Sequence, residues 1–128
     1  MSRQAAERRA HQRVDTTVQV QGTPEEGGVV ASMVANNLSL GGLYCTSSTD
    51  FSEMTRLAVR LMLPLGGGDP PEVEPLDVEA VVVRREEKVS PSGEPQYELG
   101  LFFTGMDDEA RKRLATFVDA PAPKITYH

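Results

Sequence analysis

The tightest constraint on the fold is a period of two in the apolar residues, repeated in separate stretches of the chain. Val14, Thr16, Val18 and Val20 alternate with Asp15, Thr17, Gln19 and Gln21. The same parity recurs in Leu57, Val59, Leu61 and Leu63, in Leu76, Val78, Ala80 and Val82, and in Tyr97, Leu99, Leu101 and Phe103. Successive side chains of an extended strand point to opposite faces, so each run reads as a strand with one buried face. Two further stretches have extended character. "VVASMVA", Val29 to Ala35, is apolar on both parities, which predicts burial on both sides or a bulge, and "LYCT" resumes after "NNLSLGG". Breakers separate the runs: "GTPEEGG" reads as a turn, "LGGGDPPEVEP" as a long mobile loop and "RREEKVSPSGEP" as a second long turn. Six short strands divided in this way predict a mainly β domain, a small antiparallel barrel or sandwich. The barrel form has the advantage of leaving no exposed edge.

One helix is expected, near the C-terminus. Asp107 can cap "DEARKRLATFVD", in which Ala110, Leu114, Phe117 and Val118 form a single apolar stripe that would lie on the barrel. With 128 residues the chain has room for one domain with one core. The predicted organisation is a basic, flexible arm over residues 1–13, a barrel plus helix over 14–119, and a Pro-rich, disordered tail over 120–128.

Charge is divided unevenly. Arg3, Arg8, Arg9 and Arg13 against Glu7 alone give the arm +3, so the other residues carry −9 of a total of −6. A long nucleic acid would meet repulsion over most of such a surface, whereas a small anion held by the arm would not. Cys45 is the only cysteine, which excludes an internal disulfide and a cysteine zinc cluster and suits a reducing cytoplasm. In the third strand it reads as a small buried apolar group. No run approaches the roughly 20 apolar residues that cross a bilayer, so neither export nor membrane insertion is expected. His11 has no nucleophile pattern around it, and "GGGD" lacks the Lys and Ser or Thr of a phosphate loop. No catalytic residue, metal ligand or cofactor is assigned, and no enzyme activity is expected.

Two short patterns remain. Arg9-Ala10-His11-Gln12-Arg13 is RxxxR directly before the first strand, and Asn37-Leu38-Ser39-Leu40-Gly41-Gly42 is [D/N]xSxxG at the end of the second. Both match at every specified position. In this order, with six strands and a terminal helix, the chain resembles the PilZ domain family, and the likeness extends through "YELGLFFTGMDDEARKRLATFV" to cover Glu7 to Val118. The resemblance implies a PilZ-type six-stranded antiparallel β-barrel with a C-terminal α-helix, standing as a single domain. It also implies a cyclic di-GMP receptor that signals to a downstream protein, with Arg9, Arg13, Asn37, Ser39 and Gly42 contacting the ligand.

The ligand's chemistry suits these residue types. A guanidinium can donate two parallel hydrogen bonds to guanine O6 and N7 or to phosphate oxygens, and can stack on a purine face; a lysine does neither as well. Asn37 would accept from the guanine N1 or N2 donors through its amide oxygen, without the full charge of an aspartate. Ser39 is small enough to bond without blocking the base. Gly42, with Gly41, would let the backbone turn and approach the ligand closely. Arg8, Arg84 and Arg85 are auxiliary candidates, the last two for stacking on a guanine. Two rival readings are a PilZ-like adaptor that acts through protein contacts without nucleotide, and a small RNA-binding barrel. The latter is opposed by the lack of Trp and by only three Tyr and four Phe.

Overall fold

The computed structural model describes residues 14–68 and 71–119, and the arm and the tail lie outside them. Six strands run in chain order: β1 (Val14–Pro24), β2 (Ala31–Leu38), β3 (Gly42–Ser47), β4 (Arg56–Gly68), β5 (Pro71–Val89) and β6 (Pro95–Gly105). They are followed by the helix α1 (Asp108–Asp119). All pairings are antiparallel and close the sheet in the order β1-β2-β3-β6-β5-β4, a barrel as expected.

The period-two parities are what fill it. Val18 and Val20 of β1, Leu57, Val59, Leu61 and Leu63 of β4, Leu76, Val78, Ala80 and Val82 of β5, and Leu99, Leu101 and Phe103 of β6 all point inward and are buried. Ala31, Met33 and Ala35 of β2 and Leu43 and Cys45 of β3 complete the lining. Cys45 lies in this apolar interior, 3.7 Å from the Met33 sulfur. Burial pushes its thiol up to about 12, so it stays protonated at neutral pH, in keeping with a packing role.

The helix begins where Asp107 caps it. Its Oδ1 accepts from the Ala110 N–H at 2.8 Å, satisfying a donor that has no partner within the helix. Ala110, Leu114 and Val118 are buried against the barrel, with Phe117 half-buried beside them, and Arg113 is ion-paired to Glu74 of β5.

Three readings of the sequence are corrected. "VVASMVA" is not a strand throughout: Val29 and Val30 precede β2 and are exposed, and from Ala31 onward the burial alternates regularly. The irregularity of β2 falls later, between Ala35 and Asn37. "LGGGDPPEVEP" is not a long loop, because β4 and β5 continue as a paired ribbon through Pro64↔Val73 to Gly68↔Pro71. Composition misled here: glycine and proline disfavour a central strand, but this ribbon extends past the β1 pairing, which ends at Met62, and past the β6 pairing, which begins at Glu79. On such edges a proline's missing N–H does no harm, and Pro64, Pro71 and Pro75 deny another strand the donors it would need. "RREEKVSPSGEP" likewise contributes most of its length to strands, since β5 runs to Val89 and β6 starts at Pro95. The charges of Glu86, Glu87 and Lys88 lie on the exposed part of a paired strand, which tolerates them as readily as a turn does.

Replacing Asp107 by Ala should lower stability by about 1 kcal/mol and the thermal midpoint by about 3–5 °C. A far-UV melt measures this, and the pre-transition strand signal should be unchanged.

Candidate functional site

The second half-motif folds into a three-residue turn between β2 and β3. Ser39 is fully buried. Its N–H donates to the Gly42 carbonyl at 2.9 Å, and its Oγ accepts from the N–H groups of Gly41 at 3.1 Å and Gly42 at 3.3 Å. The hydroxyl proton is directed to the Gly42 carbonyl at 3.3 Å. A serine at this position satisfies the backbone groups of a turn that would otherwise be buried unpaired. Its place in the structure is therefore inside the turn, holding the shape, rather than on the surface beside Asn37.

Gly42 is required for a different reason from the one the sequence suggests. Its backbone is not in the left-handed region; the constraint is proximity. A Cβ there would collide with the Leu101 carbonyl oxygen and stand 3.1 Å from the Leu101 carbonyl carbon and 3.3 Å from the Phe102 Cα, all backbone atoms of β6. Gly41 anchors the turn from the other side, its carbonyl accepting from the Phe103 N–H at 2.9 Å. Two glycines and a serine thus lock the turn to β6.

Asn37 is presented by a β-bulge. Ala35 pairs with Cys45 and Asn37 with Tyr44, so Asn36 is an extra residue on β2, and the matching irregularity on β1 lies between Asp15 and Val18. An inserted residue reverses the alternation of a strand. Asn36 then turns outward to donate to the Thr46 hydroxyl at 3.2 Å, Asn37 is half-buried, and Leu38 returns to the core.

On the same stretch, Asp15 pairs with Asn37 and Val14 with Leu38. The barrel therefore begins beside the second half-motif, and RxxxR ends one residue before Val14. Arg8, Arg9 and Arg13 themselves lie outside the described residues.

The two auxiliary arginines are separated by strand parity. Arg84 faces out and is exposed, paired across the sheet with Gly100. Arg85 pairs with the buried Leu99 and so turns to the rim of the barrel, where it binds Asp50 through two hydrogen bonds of 2.5 and 2.9 Å. It also lies 5.2 Å from the Tyr97 ring centroid. The hydrogen bond from Arg85 holds the Asp50 carboxyl below its usual range. Arg85 is thereby engaged, which leaves Arg84 as the arginine of the two that shares the outer row with Gly100 and Tyr44.

Register also reveals a residue that sequence reasoning missed. Asn37 pairs with Tyr44, Tyr44 with Gly100, and Gly100 with Arg84, giving one row across β2, β3, β6 and β5. A groove of about 640 Å³ lies elsewhere, on β1, β4 and β5 around the Arg60–Asp77 ion pair, and none of the described motif residues, Asn37 to Gly42, lines it.

The PilZ domain family model matches residues 7–120, and the chain belongs to that family. Among solved structures it is similar to the Bacillus subtilis inhibitor of motility MotI/DgrA, at 22% identity and a TM-score of 0.65, covering 85% of this chain and 48% of that one. It is also similar to the PilZ domain of YcgR from Escherichia coli with c-di-GMP, at 16% identity and a TM-score of 0.64, covering 88% and 89%. A third is the K. pneumonia MrkH–c-di-GMP complex, at 16% identity and a TM-score of 0.64, covering 84% and 49%. The chain thus spans about half the length of MotI and MrkH and most of the YcgR domain. No curated protein matches the sequence.

Gly42→Ala should destabilise the protein by about 3 kcal/mol or more, because the collision is with backbone that cannot step aside. Urea unfolding measures it, and a wild-type midpoint would contradict the close approach.

Proposed function

We propose that this PilZ domain is a cyclic di-GMP receptor that passes the signal to a partner protein, and that it performs no catalysis. The observation that carries the reading is the convergence of the two half-motifs: the strand that follows RxxxR starts at the bulge that turns Asn37 outward. Ligand held there would be reached from two sides, by guanidinium groups from residues 9 and 13 and by the Asn37 amide from the barrel.

The roles follow from chemistry and placement. Arg9 and Arg13 donate paired hydrogen bonds to guanine O6 and N7 or to phosphate oxygens, and their charge answers the dianion. Asn37 accepts from the guanine N1 or N2 donors. Ser39, Gly41 and Gly42 act through the turn, fixing Asn37's position rather than being consumed in contacts of their own. Arg8 adds a further cation. Ligand that bridges arm and barrel would order the arm and change the surface a partner meets. Complexes of YcgR and MrkH with c-di-GMP support the ligand class, and Asn37 supports it in this chain.

Calorimetric titration with cyclic di-GMP is the test. The wild type should bind, and Arg9→Ala should bind about 10- to 150-fold more weakly, the loss expected for charged hydrogen bonds. Equal binding by both would remove Arg9 from the site. Amide exchange over residues 3–13 should slow on addition of ligand if the arm closes on it.

A further inference from the structure

The row that begins at Asn37 continues into a surface unusual for this chain. Tyr44 and Phe102 are two of only seven aromatic residues that are Tyr or Phe, and both face solvent, with 38% and 54% exposure. They lie on neighbouring strands: Phe102 pairs with Gly42, and Tyr44, two residues further along β3, pairs with Gly100. Gly100 lets the ring lie close. A Cβ at that position would meet Tyr44 Cε1 at 3.0 Å and Cδ1 at 3.4 Å, and Arg84 Cβ at 3.1 Å. The Tyr44 ring and the Arg84 stem therefore both lie against the bare backbone of Gly100. Arg84 has no carboxylate partner among the described residues, in contrast to Arg85 next to it.

An exposed ring beside an unpaired guanidinium, on a protein with a net charge of −6, is not explained by core packing or by solubility. The row spans three strand spacings, about 14 Å from Asn37 to Arg84. A row of this kind, with a hydrogen-bonding amide at one end, an aromatic ring in the middle and a cation at the other end, fits a nucleobase joined to a phosphate: the base stacks on the ring and the anion meets the guanidinium.

We infer that Tyr44 is a ligand-binding residue, a stacking platform for a purine of the bound nucleotide, flanked by Phe102 and completed by Arg84. This rests on the cyclic di-GMP reading above and assigns to that site a surface on β3, β6 and β5 in addition to the motif. Asn37 would read the edge of a base and Tyr44 would hold a face, so that hydrogen bonding sets the choice of base while stacking adds affinity without discriminating between purines.

The full chain is titrated with cyclic di-GMP as wild type, Asn37→Ala, Tyr44→Ala, Tyr44→Phe and Arg84→Gln, and each variant is also melted. Tyr44→Ala should bind about 5- to 150-fold more weakly, Arg84→Gln about 2- to 5-fold more weakly, and Tyr44→Phe nearly as well as wild type because the ring is kept. With no Trp in the chain, tyrosine emission is directly visible. Ligand should quench it in the wild type, and Tyr44→Phe should lose most of that quenching while still binding. Should Tyr44→Ala fail to fold, the Tyr44→Phe emission decides alone. Undiminished binding by folded Tyr44→Ala, or undiminished quenching in Tyr44→Phe, overturns the inference. If those results occur while Asn37→Ala abolishes binding, the receptor reading stands and only the stacking platform falls. If the wild type does not bind cyclic di-GMP, both fall.

Discussion

The contact on which this structure depends is the close approach of Gly42 to the backbone of β6. β3 and β6 are far apart in the chain, and their pairing is one of two, with β1–β4, that join β1-β2-β3 to β6-β5-β4 and close the barrel. At its start the two strands approach so closely that only hydrogen can occupy the Cβ position. The Gly41 carbonyl bonded to Phe103 and the Ser39 hydroxyl bonded within the turn hold the same point from either side. Because the turn cannot shift relative to β6, whatever precedes it by two residues is placed with similar rigidity. That residue is Asn37, and the [D/N]xSxxG pattern is thereby divided: one position faces outward, and the others keep it in place.

The bulge at Asn36 supplies the second condition. A regular strand through Ala31, Met33 and Ala35 would turn residue 37 into the barrel, where an unpartnered amide is costly. The extra residue reverses the parity just long enough to keep Asn37 out of the core, half-buried beside exposed Asn36, before Leu38 returns to it. Backbone irregularity and side-chain chemistry coincide, as they commonly do where a sheet carries a binding group. The same alternation sends Arg84 to the outer face and Arg85 to the rim, so adjacent residues of one type have different surroundings and different partners.

Much of this was legible from the residues. The parity of Leu57 to Leu63, Leu76 to Val82 and Leu99 to Phe103 named most of the core, since hydrophobic burial has the period of the strand. Asp107 and the stripe through Ala110, Leu114 and Val118 gave the helix to the residue. The two ribbons were not legible, because glycine, proline and charge are signals against strands buried in a sheet and say little about strands at an edge, where only the pairing partner matters. The functions of Ser39 and Gly42 were also hidden. A serine that contacts a ligand and a serine that closes a turn look alike in one dimension, and a glycine kept for proximity to Leu101 cannot be told from one kept for its dihedral angles. Tyr44 was invisible for a related reason: its significance comes from register, which puts it beside Asn37 and over Gly100, residues 7 and 56 positions away in the chain.

A rigid presenting surface has a consequence for signalling. A ligand shifts a conformational equilibrium only by the difference between its affinities for the two states. Contacts confined to Asn37 and its locked turn would be the same before and after any rearrangement, so they add affinity and transmit nothing. The part of the binding energy that can be transmitted must come from groups whose position relative to the barrel differs between states. On the receptor reading proposed above, those groups would be the arginines of RxxxR, which directly precede the strand that starts at Val14. On that reading, base reading by the barrel and charge capture by the arginines would be separable: the first would determine which ligand is held, the second how strongly holding it is coupled to shape. Shifting a two-state equilibrium from 1:99 to 99:1 takes about 5.5 kcal/mol of differential binding. Two guanidinium groups making charged, paired hydrogen bonds can supply that magnitude, and the neutral Asn37 amide, by its fixed place and lack of charge, cannot.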